Sequence, residues 1–250
     1  MKRLLIDIET APNLAHVWGM FNQNIAPKQI QATGYTLCFA AKWVGEKKIT
    51  FHSIHHSGER EMVQAAWDLL NEADAVIHYN GARFDVPTLN KEFLKAGLTP
   101  PTPYKQVDLL RTVRQQFRFH SNKLDEVLKQ LGMQAKVEHK GHELWTECMA
   151  GKGSAWRVMK KYNIRDVRIM EGLYTRLLPW IRNHPNFGLY VDDNRPVCNK
   201  CGSAHILSRG IARTLTMTYQ RYQCKDCGSW LRDRKNNLSL RKKDWILAEA

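Results

Sequence analysis

The 250-residue chain is 43% hydrophobic and carries 38 Lys and Arg against 24 Asp and Glu, for a formal charge of +14. That suffices for one catalytic-sized core plus a small appendage, and the basic excess favours a polyanionic partner such as nucleic acid, with solubilising surface charge as the alternative. Export and membrane insertion are excluded as expectations. The apolar residues 4–6 run straight into Asp7 and Glu9, and no stretch nears the roughly 20 apolar residues of a membrane span. Cys38 and Cys148 stand alone, whereas the other four cysteines form two CxxC pairs, a metal spacing that implies a reducing, cytoplasmic setting.

Residues 3–10 read as a strand, followed by β-rich runs at 34–43 and 48–54 that predict an antiparallel meander. Residues 59–71 set Met62, Ala65, Ala66, Leu69 and Leu70 on one helical face, and the apolar run 75–79 makes a further strand. Residues 86–96 are helical up to Gly97. The Pro100, Pro101 and Pro103 cluster then loops into a strand over 106–110. Asn122 is placed to cap a helix bearing Leu124, Val127, Leu128 and Leu131. Residues 134–153 are polar and expected to be irregular. A long helix is predicted over 154–183, and the break at Pro185, Asn186 and Gly188 marks a domain boundary. The order βββαβα, closed by helices, predicts an α/β fold: a ribonuclease H-like mixed sheet flanked by helices. Residues 1–190 are read as this domain, 195–235 as a small second domain and 236–250 as a basic tail.

Asp7 and Glu9 lie two apart on the first strand, so both carboxylates leave one face while Ile6 and Ile8 enter the other. Adjacent anions repel, and a divalent cation between them relieves the repulsion; a solvent-facing strand edge is the alternative. Two more elements follow in order: Asn80-Gly81-Ala82-Arg83-Phe84-Asp85 after an apolar strand, and Tyr162-Asn163-Ile164-Arg165-Asp166 in the last long helix. With these three motifs the chain resembles the DEDD 3′→5′ exonuclease superfamily over about residues 3–176. Tyr162 stands four residues, one helical turn, before Asp166, and this resembles the tyrosine class of that superfamily.

The resemblance implies that Asp7, Glu9, Asp85 and Asp166 bind two Mg²⁺ or Mn²⁺ ions, and that Tyr162 orients the attacking water. It also implies that Thr10, Asn80 and Phe84 meet the substrate. Hard oxygen ligands suit those metals, and two ions can activate water and stabilise the leaving oxygen of a phosphodiester. The expected reaction is hydrolysis at the 3′ end of DNA, single-stranded by preference, releasing nucleoside 5′-monophosphates in repair, recombination or replication. An exoribonuclease and a non-catalytic nucleic-acid binder on a decayed fold are the alternatives. Asp108 is read as a helix cap rather than a ligand. Trp18, Met20 and Phe21 either stack on the terminal base or pack in the core. His52, His55 and His56 lack ligand spacing and are expected at the surface. Lys136, His139, Lys140 and His142 either line a substrate channel or belong to a solvated loop.

Cys198, Cys201, Cys224 and Cys227, with 22 residues between the pairs and glycine after each, have the spacing of a zinc ribbon holding one structural Zn²⁺. From residue 195 onward there are twelve Lys and Arg against four Asp and Glu. Tyr219, Tyr222 and Trp230 interleave there with Arg213, Arg221, Arg232, Arg234 and Lys235, a mixture suited to phosphate contact and base stacking; docking of a protein partner is the alternative.

Overall fold

The computed structural model describes residues 1–133, 141–192, 195–243 and 245–248, which fall into two compact units, Lys2–Tyr174 and Thr175–Ala250, the second including Met1. In the first unit the strands β1 (Arg3–Thr10), β2 (Leu14–Ala15), β3 (Ile30–Ala32), β4 (Thr36–Trp43) and β5 (Thr50–Ser53) come first. Helix α1 (Glu59–Glu72), strand β6 (Ala75–His78), helix α2 (Asp85–Lys95), strand β7 (Lys105–Asp108) and helix α3 (Leu109–Gln116) alternate after them. Helices α4 (Leu124–Gln130), α5 (His142–Met149) and α6 (Gly153–Leu177) follow.

Five strands form one sheet in the order β5-β4-β1-β6-β7. β1 pairs antiparallel with β4, and β4 with β5, while β6 runs parallel to β1 and β7 parallel to β6. The predicted meander therefore exists, with one addition: the chain leaves β1 through a small antiparallel pair, β2 with β3, before returning as β4. The mixed sheet flanked by helices is the ribonuclease H-like arrangement.

Alternation along β1 builds the two sides of the sheet. Leu4, Ile6 and Ile8 pack with Phe39, Met62, Ala66, Leu70, Leu89 and Phe93, which is the layer of α1 and α2. In α1, Val63 is buried as well as Met62, Ala66 and Leu70, whereas Ala65 and Leu69 sit at the margin. On the other side, Leu37, Cys38, Leu144, Cys148, Trp156, Met159 and Tyr162 form a second cluster from β4, α5 and α6.

Several expectations are corrected. Residues 142–149 are helical because Leu144 and Cys148, one turn apart, bury against that second cluster, a face too short to stand out in a polar stretch. Residues 134–140, which include Lys136, His139 and Lys140, lie outside the described residues. The long helix ends at Leu177 rather than 183, because Pro179 lacks an amide hydrogen; a 3-10 turn, Leu178–Trp180, replaces it. Helix α4 is entered through Lys123 with no side-chain cap, and Asn122 instead accepts the Tyr79 hydroxyl on its carbonyl at 2.7 Å. Trp18, Met20 and Phe21 are exposed, Trp18 by 99%, which removes the core-packing alternative. No helix among the described residues is long and apolar enough to cross a membrane.

The second unit carries β8 (Ile206–Arg213), β9 (Thr218–Cys224) and β10 (Trp230–Arg232), an antiparallel sheet in the order β10-β9-β8. Its two CxxC turns are built alike. The amides of Gly202 and Gly228 bond back to the carbonyls of Cys198 and Cys224, at 2.9 and 3.0 Å, with φ of 81° and 76°. A residue with a Cβ is strained in that conformation, which is why glycine follows each pair. Gly210, at φ 74°, takes up the register shift between Ser208 and Ile211 in β8.

Candidate active site

Asp7 and Glu9 leave β1 on the side facing α6, and Asp166 on α6 completes the group: oxygens of the three carboxylates lie within 4.8 Å of one another. A register shift between Glu9 and Thr10 in the pairing with β4 breaks the regular pleat at this point. Two tethers hold α6 along the sheet. Glu171 accepts the Lys42 ammonium and, at 2.9 Å, the Gly45 amide, while Arg3 donates to the Tyr174 hydroxyl at 3.2 Å.

Asn163, fully buried, donates through Nδ2 to the Asp7 carboxylate at 2.8 Å and to the Asp7 carbonyl at 3.2 Å. This charge-assisted contact fixes the Asp7 rotamer. The residue was part of a motif visible in the sequence, yet nothing there separates it from any polar helix residue.

Asp85 stands outside the carboxylate group of three. It opens α2, is 4% exposed, and accepts the Ile8 amide on Oδ1 at 3.1 Å. β6 pairs with β1 only as far as Leu5, so Asp85 supplies the acceptor that the sheet no longer offers between Asp7 and Glu9. Burial pushes its carboxyl up to about 6, against the opposing hydrogen bonds from Ile8 and its own amide.

The turn that delivers Asp85 is braced by His78 and Gln106, which no sequence motif marks, and by Asp108. Asn80 has φ of 71°, and a Cβ on Gly81 would lie 2.4 Å from Cγ of His78. His78 is fully buried and accepts the Gly81 amide on Nδ1 at 3.0 Å, so its Nε2 carries the proton donated to Gln106 at 3.1 Å. Burial lowers its basicity and keeps the ring neutral. Asp108 accepts the amides of Asn80, Leu110 and Arg111 on Oδ1. It caps α3 as expected and ties that cap to the turn. Phe84 is 45% exposed at the entry to α2, and Thr10 is half-buried at the end of β1.

Tyr162 is 6% exposed, packed with Leu37, Cys38 and Met159, and meets the edge of Trp145 of α5 with ring centres 6.0 Å apart. Burial, then the charges of Glu9 and Asp7, pushes the Cys38 thiol well above its ordinary value, leaving it a neutral packing residue. His55 and His56 lie at the surface and His52 is half-buried, and two of them have a packing role: His55 stacks on Trp156 at 5.3 Å and His52 on Phe39 at 5.5 Å.

The donor sets fit two kinds of ion. Three convergent carboxylates offer hard oxygens suited to Mg²⁺ or Mn²⁺. The sulfurs of Cys198, Cys201, Cys224 and Cys227 also lie within 4.8 Å of one another, a set suited to Zn²⁺.

Comparison with known proteins bears on the fold. A search of curated proteins finds no match. Among solved structures, the family B DNA polymerase of the hyperthermophilic archaeon Pyrobaculum calidifontis superposes with a TM-score of 0.55 at 19% identity, covering 71% of this chain. The match spans 24% of the polymerase, so the likeness is one of fold. The model of the RNase H superfamily matches residues 29–178, which include the Asp85 and Asp166 motifs, and the chain belongs to that superfamily.

Proposed function

We propose that the protein is a metal-dependent 3′→5′ exonuclease that removes nucleoside 5′-monophosphates from DNA, single-stranded by preference. The observation that carries the reading is the convergence of Asp7 and Glu9 from β1 with Asp166 from α6, one helical turn beyond Tyr162. The superfamily itself supports a nuclease.

On this reading Asp7, Glu9, Asp85 and Asp166 hold two Mg²⁺ or Mn²⁺ ions. When bound, these ions supply Lewis-acid stabilisation of the phosphodiester oxygens and lower the pKa of water. The residues do the rest. Asn163 holds the Asp7 carboxylate in one orientation. Asp85, from α2, accepts the β1 amide between Asp7 and Glu9, so a shift of α2 would be felt by the whole group. Tyr162 is a positioning group for the attacking water rather than its base. Thr10, Asn80 and Phe84 contact the terminal nucleotide, and the exposed Trp18, Met20 and Phe21 give it apolar surface for stacking.

Residues 1–190 form the catalytic domain on this scheme, 195–235 a ribbon with one Zn²⁺, and 236–250 a basic tail, in a cytoplasmic protein serving DNA repair or replication.

The test is a digestion panel of 5′-labelled linear DNA, its covalently closed circle, duplex DNA and RNA, each with Mg²⁺ or Mn²⁺. A descending ladder from linear DNA and an intact circle support the reading. Cleavage of the circle at the linear rate overturns it, and a ladder from RNA alone makes the protein an exoribonuclease.

A further inference from the structure

The ribbon sheet carries an arrangement that the exonuclease reading does not use. Tyr219, Arg221 and Gln223 alternate onto one face of β9, and the register Trp230↔Gln223 and Arg232↔Arg221 brings Trp230 and Arg232 of β10 onto the same face. The side chains interlock diagonally. The Arg232 guanidinium lies 3.9 Å from the Tyr219 ring centre, and that of Arg221 lies 5.0 Å from the Trp230 ring centre.

Stacking orders an arginine without using its hydrogen-bonding fork. Among the described residues, Arg232 donates one long bond, 3.4 Å, to the Asp233 carbonyl, and Arg221 donates Nε to the Arg209 carbonyl at 2.9 Å. Further N–H groups on each are left for an acceptor. Trp230 remains 55% exposed on the edge strand. Beside this face opens a cavity of about 660 Å³, lined by Tyr219 and Arg232 together with Arg195, Arg234 and Asn199. Among the described residues, the guanidinium groups of Arg195, Arg232 and Arg234 line it, and so does the carboxylate of Asp233. The Asp233 carboxylate is engaged by the Tyr222 hydroxyl at 3.2 Å.

We infer that this face and its cavity form a second nucleic-acid site, in which Arg232 and Arg234 hold backbone phosphates of a single strand while Trp230 stacks on a base. Planar forks that bind phosphate oxygens pairwise, set beside an exposed indole, match the repeat of a single strand, in which phosphate and base alternate. The assignment rests on nucleic acid as the partner and is independent of hydrolysis.

Two variants of the full chain separate the contributions. Binding of a 5′-fluorescein single-stranded DNA is measured from low to high salt without added Mg²⁺ or Mn²⁺. Zinc content and circular dichroism show that each variant is folded. For single strands, log K falls with log salt by about 0.7 per phosphate contact, so Arg232→Ala with Arg234→Ala should flatten the slope by roughly 1.4. Trp230→Ala should weaken binding roughly five- to a hundredfold while leaving the slope unchanged, because stacking releases no counterions. Affinity and slope unchanged in both folded variants overturn the site and leave the ribbon face to a protein partner. Binding lost in these variants while the chain hydrolyses no substrate supports the second site and refutes the exonuclease reading alone.

Discussion

Replacing Asp85 by asparagine separates the stability of the catalytic unit from its chemistry. Asp85 is 4% exposed, and burial moves its carboxyl from 3.8 to about 6. A raised value means that between those two pH values the folded chain holds a proton that the unfolded chain has released. The contribution of Asp85 to stability therefore falls as pH rises from about 4 to about 6 and stays low above it. At 1.36 kcal/mol per tenfold, the ionised carboxylate costs about 3 kcal/mol at neutral pH when no divalent metal is bound. Asparagine keeps an oxygen for the Ile8 amide and carries no charge. Urea denaturation with zinc retained and no Mg²⁺ or Mn²⁺ should thus show Asp85→Asn close to the parent at pH 4 and more stable, by up to about 3 kcal/mol, at pH 8. Saturating Mg²⁺ should narrow the gap, since a cation held by Asp85 favours the charged form, and the variant should be inactive. An asparagine variant less stable than the parent at pH 8 without metal would refute the argument, because the charge would then be supporting the fold.

Asn163→Ala removes the donor that orients Asp7. The Mg²⁺ concentration for half-maximal activity should rise about ten- to a hundredfold, as for other groups that orient ligands, and an unchanged metal requirement would remove Asn163 from the site. Tyr162→Phe keeps the ring packed against Trp145 and deletes one hydroxyl. A roughly ten- to thousandfold loss of kcat with unchanged stability is expected, and an unchanged rate with chemistry limiting would place Tyr162 outside the mechanism. Gly81→Ala drives a methyl group into the buried His78 ring. Its thermal unfolding should reveal a loss of about 1–3 kcal/mol, and an unaltered midpoint would show that the turn is not as tightly packed as described.

What the sequence disclosed follows from periodicity. A two-residue period put Asp7 and Glu9 on one face, and a four-residue step put Tyr162 over Asp166; both relations are local and survive folding. The two CxxC turns are equally local. Contacts made across long separations were hidden. The Asp85 carboxylate meets Ile8 over 77 residues, and Asn163 meets Asp7 over 156. No local pattern encodes either. Helix α5 was missed because only Leu144 and Cys148 mark its buried face, and with it went Trp145, which shapes the surroundings of Tyr162. Asn122 had the right chemistry for a cap, yet the chain enters α4 one residue later, through Lys123. The short β2 with β3 pair leaves no alternation to read, since β2 is two residues long.

The central claim is that the carboxylates of Asp7, Glu9 and Asp166 hold the metal that drives hydrolysis from a 3′ end. The most direct measurement sets the parent against Asp166→Asn on a 5′-labelled single-stranded DNA, at saturating substrate with added Mn²⁺ and equal zinc content. The parent should produce a descending ladder and the variant, folded and charge-reduced by one carboxylate, should produce none within the time the parent completes the digest. A ladder from Asp166→Asn at a rate close to the parent's would contradict the assignment of the site.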